Sequence, residues 1–233
     1  MKRNLALLLC GLGFVVSGCK HHVAYRLTET DRWGGQMIAG VLFVKPFADS
    51  SPVITNKQER VGKETWRCNY RSGYAKTNLN DELTSAIVKH LSHSGLFTKV
   101  TSKADMNFDW SLSGTLTEFK TRARVNDKAE TIQTVTAGFG LLGAIIGSAS
   151  TAKMNSDIQT SVKIEPVTLS DKTGRIVWQD AISVATNRTV NFGEANEYAV
   201  FYHTDAALKQ AVNEIIRRIA SSPATNLHNA DNR

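Results

Sequence analysis

Residues 158–184 read IQTSVKIEPVTLSDKTGRIVWQDAISV and carry the pattern of a long β-hairpin. Apolar and polar residues alternate over 158–164, which is the period of a strand buried on one face. The phase shifts after Pro166, so we expect a bulge or an edge position at the proline. Residues 170–174 (SDKTG) predict a tight turn, and the alternation over 176–184 predicts the partner strand.

Further strands and two amphipathic helices surround this hairpin in the sequence. Apolar residues recur every fourth position from Leu79 to Leu91, and a similar stripe runs from Leu208 to Ile219. The predicted elements are strands over 41–44, 96–100 and 108–116 and helices over 78–94 and from near Thr204 to 219. This order predicts an α+β fold: a mixed, mostly antiparallel sheet with two helices on one face, plus a Gly-rich hydrophobic insert.

Residues 48–76 are polar and show no clear period, so they are predicted to form a long loop. Proline and glycine residues punctuate the stretch, as is typical of loops. Its aromatic and Cys residues predict an ordered contact surface; they are Trp66, Cys68, Tyr70 and Tyr74.

The N-terminus has the three parts of a bacterial lipoprotein signal in the right order. Lys2 and Arg3 are basic, and residues 5–16 are apolar but too short to span a bilayer. The closing Val16-Ser17-Gly18-Cys19 resembles a lipobox, in which the Cys is acylated and becomes the new N-terminus. The alternative is an ordinary signal peptide with an incidental Cys.

The resemblance to a lipobox implies outer-membrane lipid as a partner, through acylated Cys19. Lys rather than Asp at position 20 implies the outer membrane, with the protein facing the periplasm. Three acyl chains, at roughly 0.8 kcal/mol per buried CH₂, anchor a protein stably. The predicted boundaries are a signal peptide over 1–18, a lipidated tether over 19–38, the α+β domain over 39–222 and a disordered tail over 223–233.

The composition limits the class of protein. The 233 residues are 42% hydrophobic and include 3 Cys, which fits neither a disordered chain nor a disulfide-dense mini-protein. The 28 Lys and Arg against 21 Asp and Glu give a net charge of +7. In the envelope we expect this mild excess of positive charge to favour contact with anionic lipid head groups or solubility. We therefore expect no nucleic-acid partner.

Residues 131–152 (TIQTVTAGFGLLGAIIGSASTA) contain no charged side chain. Their number just meets the roughly 20 residues of a membrane-spanning helix, and glycines four apart let a second helix approach closely. We predict membrane or oligomer contact through Gly138, Gly140, Leu141, Leu142, Gly143, Ile145, Ile146 and Gly147. The alternatives are a lipid-facing strand pair, an element packed on the protein's own sheet, and a disordered Gly/Ser/Thr loop.

The same stretch contains a GxGxxG pattern at 138–143, with Asp157 near the position of an acidic ribose ligand. A dinucleotide site needs a buried parallel strand before the glycines, whereas residues 131–134 (TIQT) are polar. Envelope compartments also lack free nicotinamide cofactors. We therefore predict no cofactor.

No residue set predicts catalysis or a metal site. His90 and His93 have a spacing that can share a metal, but no acidic or Cys partner stands at a matching position, and His also suits a helix C-terminus. Cys68 has no recognisable base nearby, which predicts a free thiol or an intermolecular bridge. HExxH, GxSxG, SxxK and P-loop motifs are absent from the sequence, so we expect a protein that is not an enzyme.

Taken together, the chain resembles outer-membrane lipoproteins whose α+β domain is like that of the curli secretion channel, the PelC exopolysaccharide lipoprotein and the N-terminal domain of TolB. The matching segments are the opening strand 41–47 (VLFVKPF), the helix over 80–91, Leu96-Phe97 and the hairpin segment 174–178 (GRIVW). The Gly-rich insert is similar in kind to that of TraT, a surface-exclusion lipoprotein.

This resemblance implies a non-enzymatic lipoprotein that assembles, as a homo-oligomer or with an envelope-complex partner, to export or organise an envelope structure. The lipid at Cys19 would set depth and orientation, and residues 131–152 would insert or pack between subunits. Trp33, Trp66 and Tyr70 would be contact residues, and burial within the domain is the alternative role for these aromatics. The alternative is a monomeric periplasmic adaptor or binding lipoprotein with the insert packed internally.

Overall fold

The computed structural model describes residues 32–52, 57–70, 79–104, 107–124, 127–137, 154–191 and 197–222. These residues form eight strands and three helices in an α+β arrangement. In chain order they are β1 (Ile38–Val44), β2 (Ala48–Asp49), β3 (Lys57–Val61), β4 (Glu64–Tyr70), α1 (Leu79–Ser94), β5 (Phe97–Thr101), β6 (Trp110–Arg124), α2 (Asp127–Ala137), β7 (Asn155–Asp171), β8 (Ile176–Asn191) and α3 (Glu197–Ala220).

The long strand β6 organises the sheet. Strand β7 pairs antiparallel with one edge of β6 along nearly its whole length, and β8 pairs antiparallel with β7. Along the other edge of β6, from its start to its end, β1, β2 and β4 pair with it one after another. Pairs among β1, β2, β5 and β6 are parallel, while the longer pairs are antiparallel. The predicted mixed, mostly antiparallel sheet is therefore confirmed.

The long hairpin is present as β7 and β8, and Pro166 stands at a bulge. Glu165 and Pro166 lie where the register shifts, between the pairs formed by Ile164 and Val167. Because β7 has a partner on both sides, the edge position considered for the proline is wrong. A bulge tolerates proline there because the extra residues leave the hydrogen-bond ladder.

Helices α1 and α3 pack on the same face of the sheet, as predicted. Each contributes its apolar stripe to one core cluster, including Leu83, Ile87 and Leu91 from α1 and the set Leu208, Ala211, Val212, Ile215, Ile216 and Ile219 from α3. Helix α3 begins at Glu197 rather than near Thr204, because the apolar period that marks the helix in the sequence starts only at Leu208.

The predicted long loop over 48–76 is wrong for most of its length. It contains β2 and an antiparallel hairpin of β3 and β4, with Gly62 at the turn at a φ of 63°. The hairpin has no apolar alternation because β3 lies at the edge of the sheet with mostly exposed residues. Cys68 and Tyr70 lie on β4, whereas Tyr74 lies outside the described residues.

Most of the predicted functional segments also lie outside the described residues. These are Val16, Ser17, Gly18, Cys19 and the contact residues Gly138, Gly140, Leu141, Leu142, Gly143, Ile145, Ile146 and Gly147. The start of the insert, 131–137, belongs to α2, where Ala129 is buried. In the described ranges no helix is both long and apolar enough to cross a membrane.

The end of the predicted tether packs onto the domain. Trp33 lies against the core cluster, and its backbone N–H donates to the Ser94 carbonyl at 2.7 Å. Strand β1 begins at Ile38, whose N–H donates to the Leu96 carbonyl at 2.7 Å. The chain therefore joins the domain beside the C-terminal end of α1.

Candidate functional site

The face of the sheet away from α1 and α3 is polar. On β6, Phe119 and Thr121 are buried, and Phe119 belongs to the core cluster. Because side chains alternate along a strand, Lys120 and Arg122 point to the opposite face. Arg122 stands opposite Gln159 of β7, so the same face continues across the hairpin.

A cleft of about 420 Å³ opens on this polar face. Its walls come from three adjacent strands, and the lining residues are of charged, amide or hydroxyl type apart from Ala185. The lining residues are Glu118, Lys120, Arg122, Gln159, Thr160, Ser161, Ala185, Thr186 and Asn187. We take this cleft as the candidate functional site because it is where polar groups of described residues converge.

Arg122 is held in place from two sides. Its guanidinium carbon lies 4.8 Å from the centre of the Trp66 ring, a cation–π contact. Its Nε donates to Gln159 Oε1 at 2.8 Å. Trp66 is 4% exposed. Its buried ring is therefore fixed in place, and the guanidinium packs against it.

The cations beside Arg122 are neutralised by carboxylates. Lys120 Nζ lies 2.7 Å from Glu59 Oε2. Arg124 donates to Glu64 at 2.8 Å and lies 3.1 Å from Asp157, and these contacts raise its pKa, the hydrogen bond to Glu64 most of all.

One carboxylate lines the cleft itself. Glu118 accepts a short hydrogen bond from Ser161 Oγ. Glu118 also helps to raise the pKa of Lys163, although the main cause there is the ion pair between Lys163 and Glu165. The cleft therefore has a negative group at one end and a positive group at the other.

Arg122 differs from its neighbours in having no carboxylate partner within the described ranges. Among the described residues no hydrogen bond or ion pair engages its two terminal nitrogens, so their N–H donors face the cleft without a protein acceptor from that part of the chain. The buried Trp66 Nε1 beside it also has no hydrogen-bond acceptor in the part of the chain that the structure describes. Because the Trp66 N–H is itself buried, the donors that a ligand in the cleft can contact at this point are those of Arg122, which lines the cleft.

His90, which the sequence analysis considered as a metal ligand, has a structural role. His90 is buried, and its Nε2 lies 2.5 Å from Asn213 Oδ1, which links α1 to α3. Within the described residues, His, Cys, Asp and Glu side chains form no group of three that could hold a metal ion.

Sequence reasoning singled out Trp66 but missed Arg122. The available signal was the run Lys120, Arg122, Arg124, whose period of two predicts one basic strand face. Pairing of β4 with β6 is what brings Trp66 to that face.

No family model matches the chain, and no curated protein matches it. Among solved structures, protein XCC0632 from Xanthomonas campestris is similar at 12% identity and a TM-score of 0.48, over 86% of this chain and 93% of that one. A PelC dodecamer from Paraburkholderia phytofirmans is similar at 14% identity and a TM-score of 0.33, over 77% and 89%. A minor lipoprotein from Acinetobacter baumannii is similar at 13% identity and a TM-score of 0.29, over 65% and 86%. Since these TM-scores are below 0.5, the function of this chain is argued from its own residues.

Proposed function

We propose that this chain is a lipid-anchored protein of the bacterial outer membrane that acts, without catalysis, in the assembly, export or organisation of an envelope structure as a homo-oligomer. One observation carries the proposal: Val16-Ser17-Gly18-Cys19 follows a basic segment and a short apolar segment. That order matches the signal and lipidation chemistry of lipoproteins. Acylation of Cys19 would then place the domain at the periplasmic side of the membrane.

The structure is compatible with a short anchor. Arg32, where the described residues begin, follows Cys19 by 13 residues (32 − 19). A fully extended chain of that length reaches at most about 45 Å. Trp33 then fixes the chain beside the end of α1. The lipid would therefore keep this end of the domain close to the bilayer.

Two features support self-assembly. No strand among the described residues pairs with the outer edge of β8, which leaves the backbone groups along that edge available to another chain. The uncharged stretch over 131–152 supplies apolar surface that needs a cover of lipid or protein.

A membrane-retention experiment tests the anchor and the insert separately. The wild-type protein, a Cys19→Ser variant and a form with residues 1–19 replaced by an ordinary cleavable signal are each fractionated with an alkaline carbonate wash. We expect wild type to stay in the membrane and to carry labelled fatty acid, whereas Cys19→Ser carries none. Equal acyl labelling of wild type and Cys19→Ser would refute the lipid anchor.

The unlipidated form then reports on residues 131–152. If the insert enters the bilayer, this form stays in the washed membrane and is released when Leu141, Leu142, Ile145 and Ile146 become Ser. Light scattering of the protein in detergent should give a mass of several chains. A freely soluble monomer would overturn the oligomer proposal while leaving the anchor intact.

A monomeric binding or adaptor lipoprotein is the second candidate. The cleft around Arg122 favours it, because a site with an available guanidinium is built within a single chain. The first candidate is a homo-oligomer and the second is a monomer. The mass measured in the same light-scattering experiment therefore separates them.

A further inference from the structure

We infer that the polar cleft binds an acidic saccharide, with its carboxylate on Arg122 and its hydroxyl groups directed toward Glu118. This inference goes beyond the proposed function, since the site lies within one chain and does not depend on the lipid anchor or on the oligomeric state.

The orientation of the Arg122 guanidinium is already fixed in the unliganded protein. The Trp66 ring and Gln159 Oε1 fix the plane of the guanidinium. Its terminal N–H groups have no acidic partner in the described ranges, and a guanidinium edge matches the two oxygens of a carboxylate. A fixed donor loses little entropy on binding, which strengthens the contact.

The chemistry of the walls indicates a ligand rich in hydroxyl groups. Gln159, Ser161 and Asn187 offer amide and hydroxyl groups on the face that carries Arg122, and Ala185 is the one apolar residue of the lining. A lipid chain or an aromatic ring would leave these polar groups without partners, whereas a sugar can exchange its water hydrogen bonds for protein ones and place its C–H groups on the carbon atoms of the lining.

The positions of Glu118 and Arg122 indicate how a ligand would be oriented in the cleft and how long it would be. Glu118 and Arg122 are four residues apart on β6, which corresponds to about 13 Å along a strand. Hydroxyl groups can donate to the Glu118 carboxylate, while a second anionic group there would be repelled. A monovalent acid on a sugar scaffold therefore fits better than phosphate, which is small and carries more charge.

A titration with matched ligands tests this assignment. Full-length protein in detergent is titrated with lactobionate, which has one carboxylate, with lactitol, its neutral counterpart of similar size, and with inorganic phosphate. The indole N–H signal of Trp66 is the reporter, because this donor lies beside Arg122 and lacks an acceptor among the described residues. We expect lactobionate to shift this signal and to bind about tenfold or more tightly than lactitol.

Variants show whether Arg122 is responsible. Arg122→Gln should weaken lactobionate binding about tenfold or more and leave lactitol unchanged, and Arg122→Lys should fall between, since Lys keeps the charge but not the planar fork. Arg188→Gln is the matched control, because Arg188 is an exposed cation outside the cleft. It should bind like wild type.

Three outcomes would overturn the inference. The first is unchanged lactobionate binding by Arg122→Gln with native thermal stability. The second is phosphate binding as tight as that of lactobionate, which would make the cleft a simple anion site. The third is no perturbation of Trp66 at millimolar lactobionate. Membrane retention tests the lipid anchor independently of all three.

Discussion

Phe47 lies so close to Gly114 that a Cβ at position 114 would stand 2.4 Å from Phe47 Cε1 and 3.2 Å from Ile164 Cγ2. Phe47 is fully buried, and its backbone N–H donates to Thr84 Oγ1 on α1 at 2.9 Å. The missing side chain at 114 therefore lets the segment after β1 pack between α1 and the central strand β6.

Gly114→Ala is expected to lower the free energy of unfolding by about 1–3 kcal/mol, because a buried ring cannot move aside without strain. Urea denaturation followed by tryptophan fluorescence measures the change. Gly34→Ala is the control, since no atom lies within 4 Å of its added Cβ. In the double variant Phe47→Leu/Gly114→Ala, part of the loss should return. A Gly114→Ala midpoint equal to that of wild type would show that the contact is not tight.

Much of this fold is readable from the sequence because its central elements are buried on one face. The β7–β8 hairpin and the stripe of α3 carry regular apolar periods, and those periods are the same whatever the elements pack against. The β3–β4 hairpin was missed for the opposite reason. Its strands lie toward an edge and carry charged residues such as Glu59 and Glu64, which make ion pairs with β6 that no local pattern reveals.

His90 and Asn213 join α1 to α3 through a hydrogen bond between the buried His90 ring and the half-buried Asn213 amide. Asn213→Ala should cost about 1–3 kcal/mol of unfolding free energy, because it leaves a buried ring nitrogen without this partner. Asn213→Asp, which keeps an oxygen at the same place, should cost less. Thermal unfolding monitored by circular dichroism compares the two variants, and equal losses would count against the hydrogen bond as the cause.

Arg218 ties α3 to β8 by donating to Asp180 Oδ2 at 2.7 Å and to Glu214 Oε1 at 2.6 Å. These contacts matter for acid stability. The pKa of Glu214 is lowered to about 2, first by the hydrogen bond from Arg217 and also by Arg218. The pKa of Asp180 is lowered chiefly by the hydrogen bond from Arg218.

A carboxylate with a lowered pKa in the folded state stabilises the fold above its unfolded pKa and loses this contribution as the pH falls through its folded pKa. The cluster should therefore lose its contribution between about pH 5 and pH 2. Arg218→Gln should reduce stability by about 1 kcal/mol at pH 7, a value that allows for solvent screening of these half-exposed groups, and by less at pH 2. Urea midpoints measured at both pH values check this. A deficit of the same size at both would contradict the assignment, and Arg188→Gln controls for the loss of one charge.

The candidate site was less predictable than the fold. A lipobox is a local chemical motif, so Val16-Ser17-Gly18-Cys19 is visible without any structure. The cleft instead depends on Trp66 meeting Arg122 across the β4–β6 pair, two strands separated in sequence by α1 and β5. A period of basic residues on one strand is equally typical of a solvated face, and strand pairing alone distinguishes the two.

Trp66 and Trp110 offer a matched pair of buried indoles with opposite hydrogen-bonding states. Trp66 is 4% exposed and Trp110 is 1% exposed. The Trp110 Nε1 donates to the Ala39 carbonyl at 2.9 Å, whereas Trp66 Nε1 has no acceptor among the described residues. Phenylalanine removes the N–H in both cases and leaves a comparable gap.

Trp110→Phe should therefore lose more unfolding free energy than Trp66→Phe, by about 0.5–1.5 kcal/mol, because it also loses the hydrogen bond to the Ala39 carbonyl. Trp66→Phe loses packing but also removes an unpaired buried donor, and these effects oppose each other. Urea denaturation followed by circular dichroism measures both variants without relying on tryptophan emission. Equal losses would contradict the assignment and would mean that Trp66 Nε1 is hydrogen-bonded in solution.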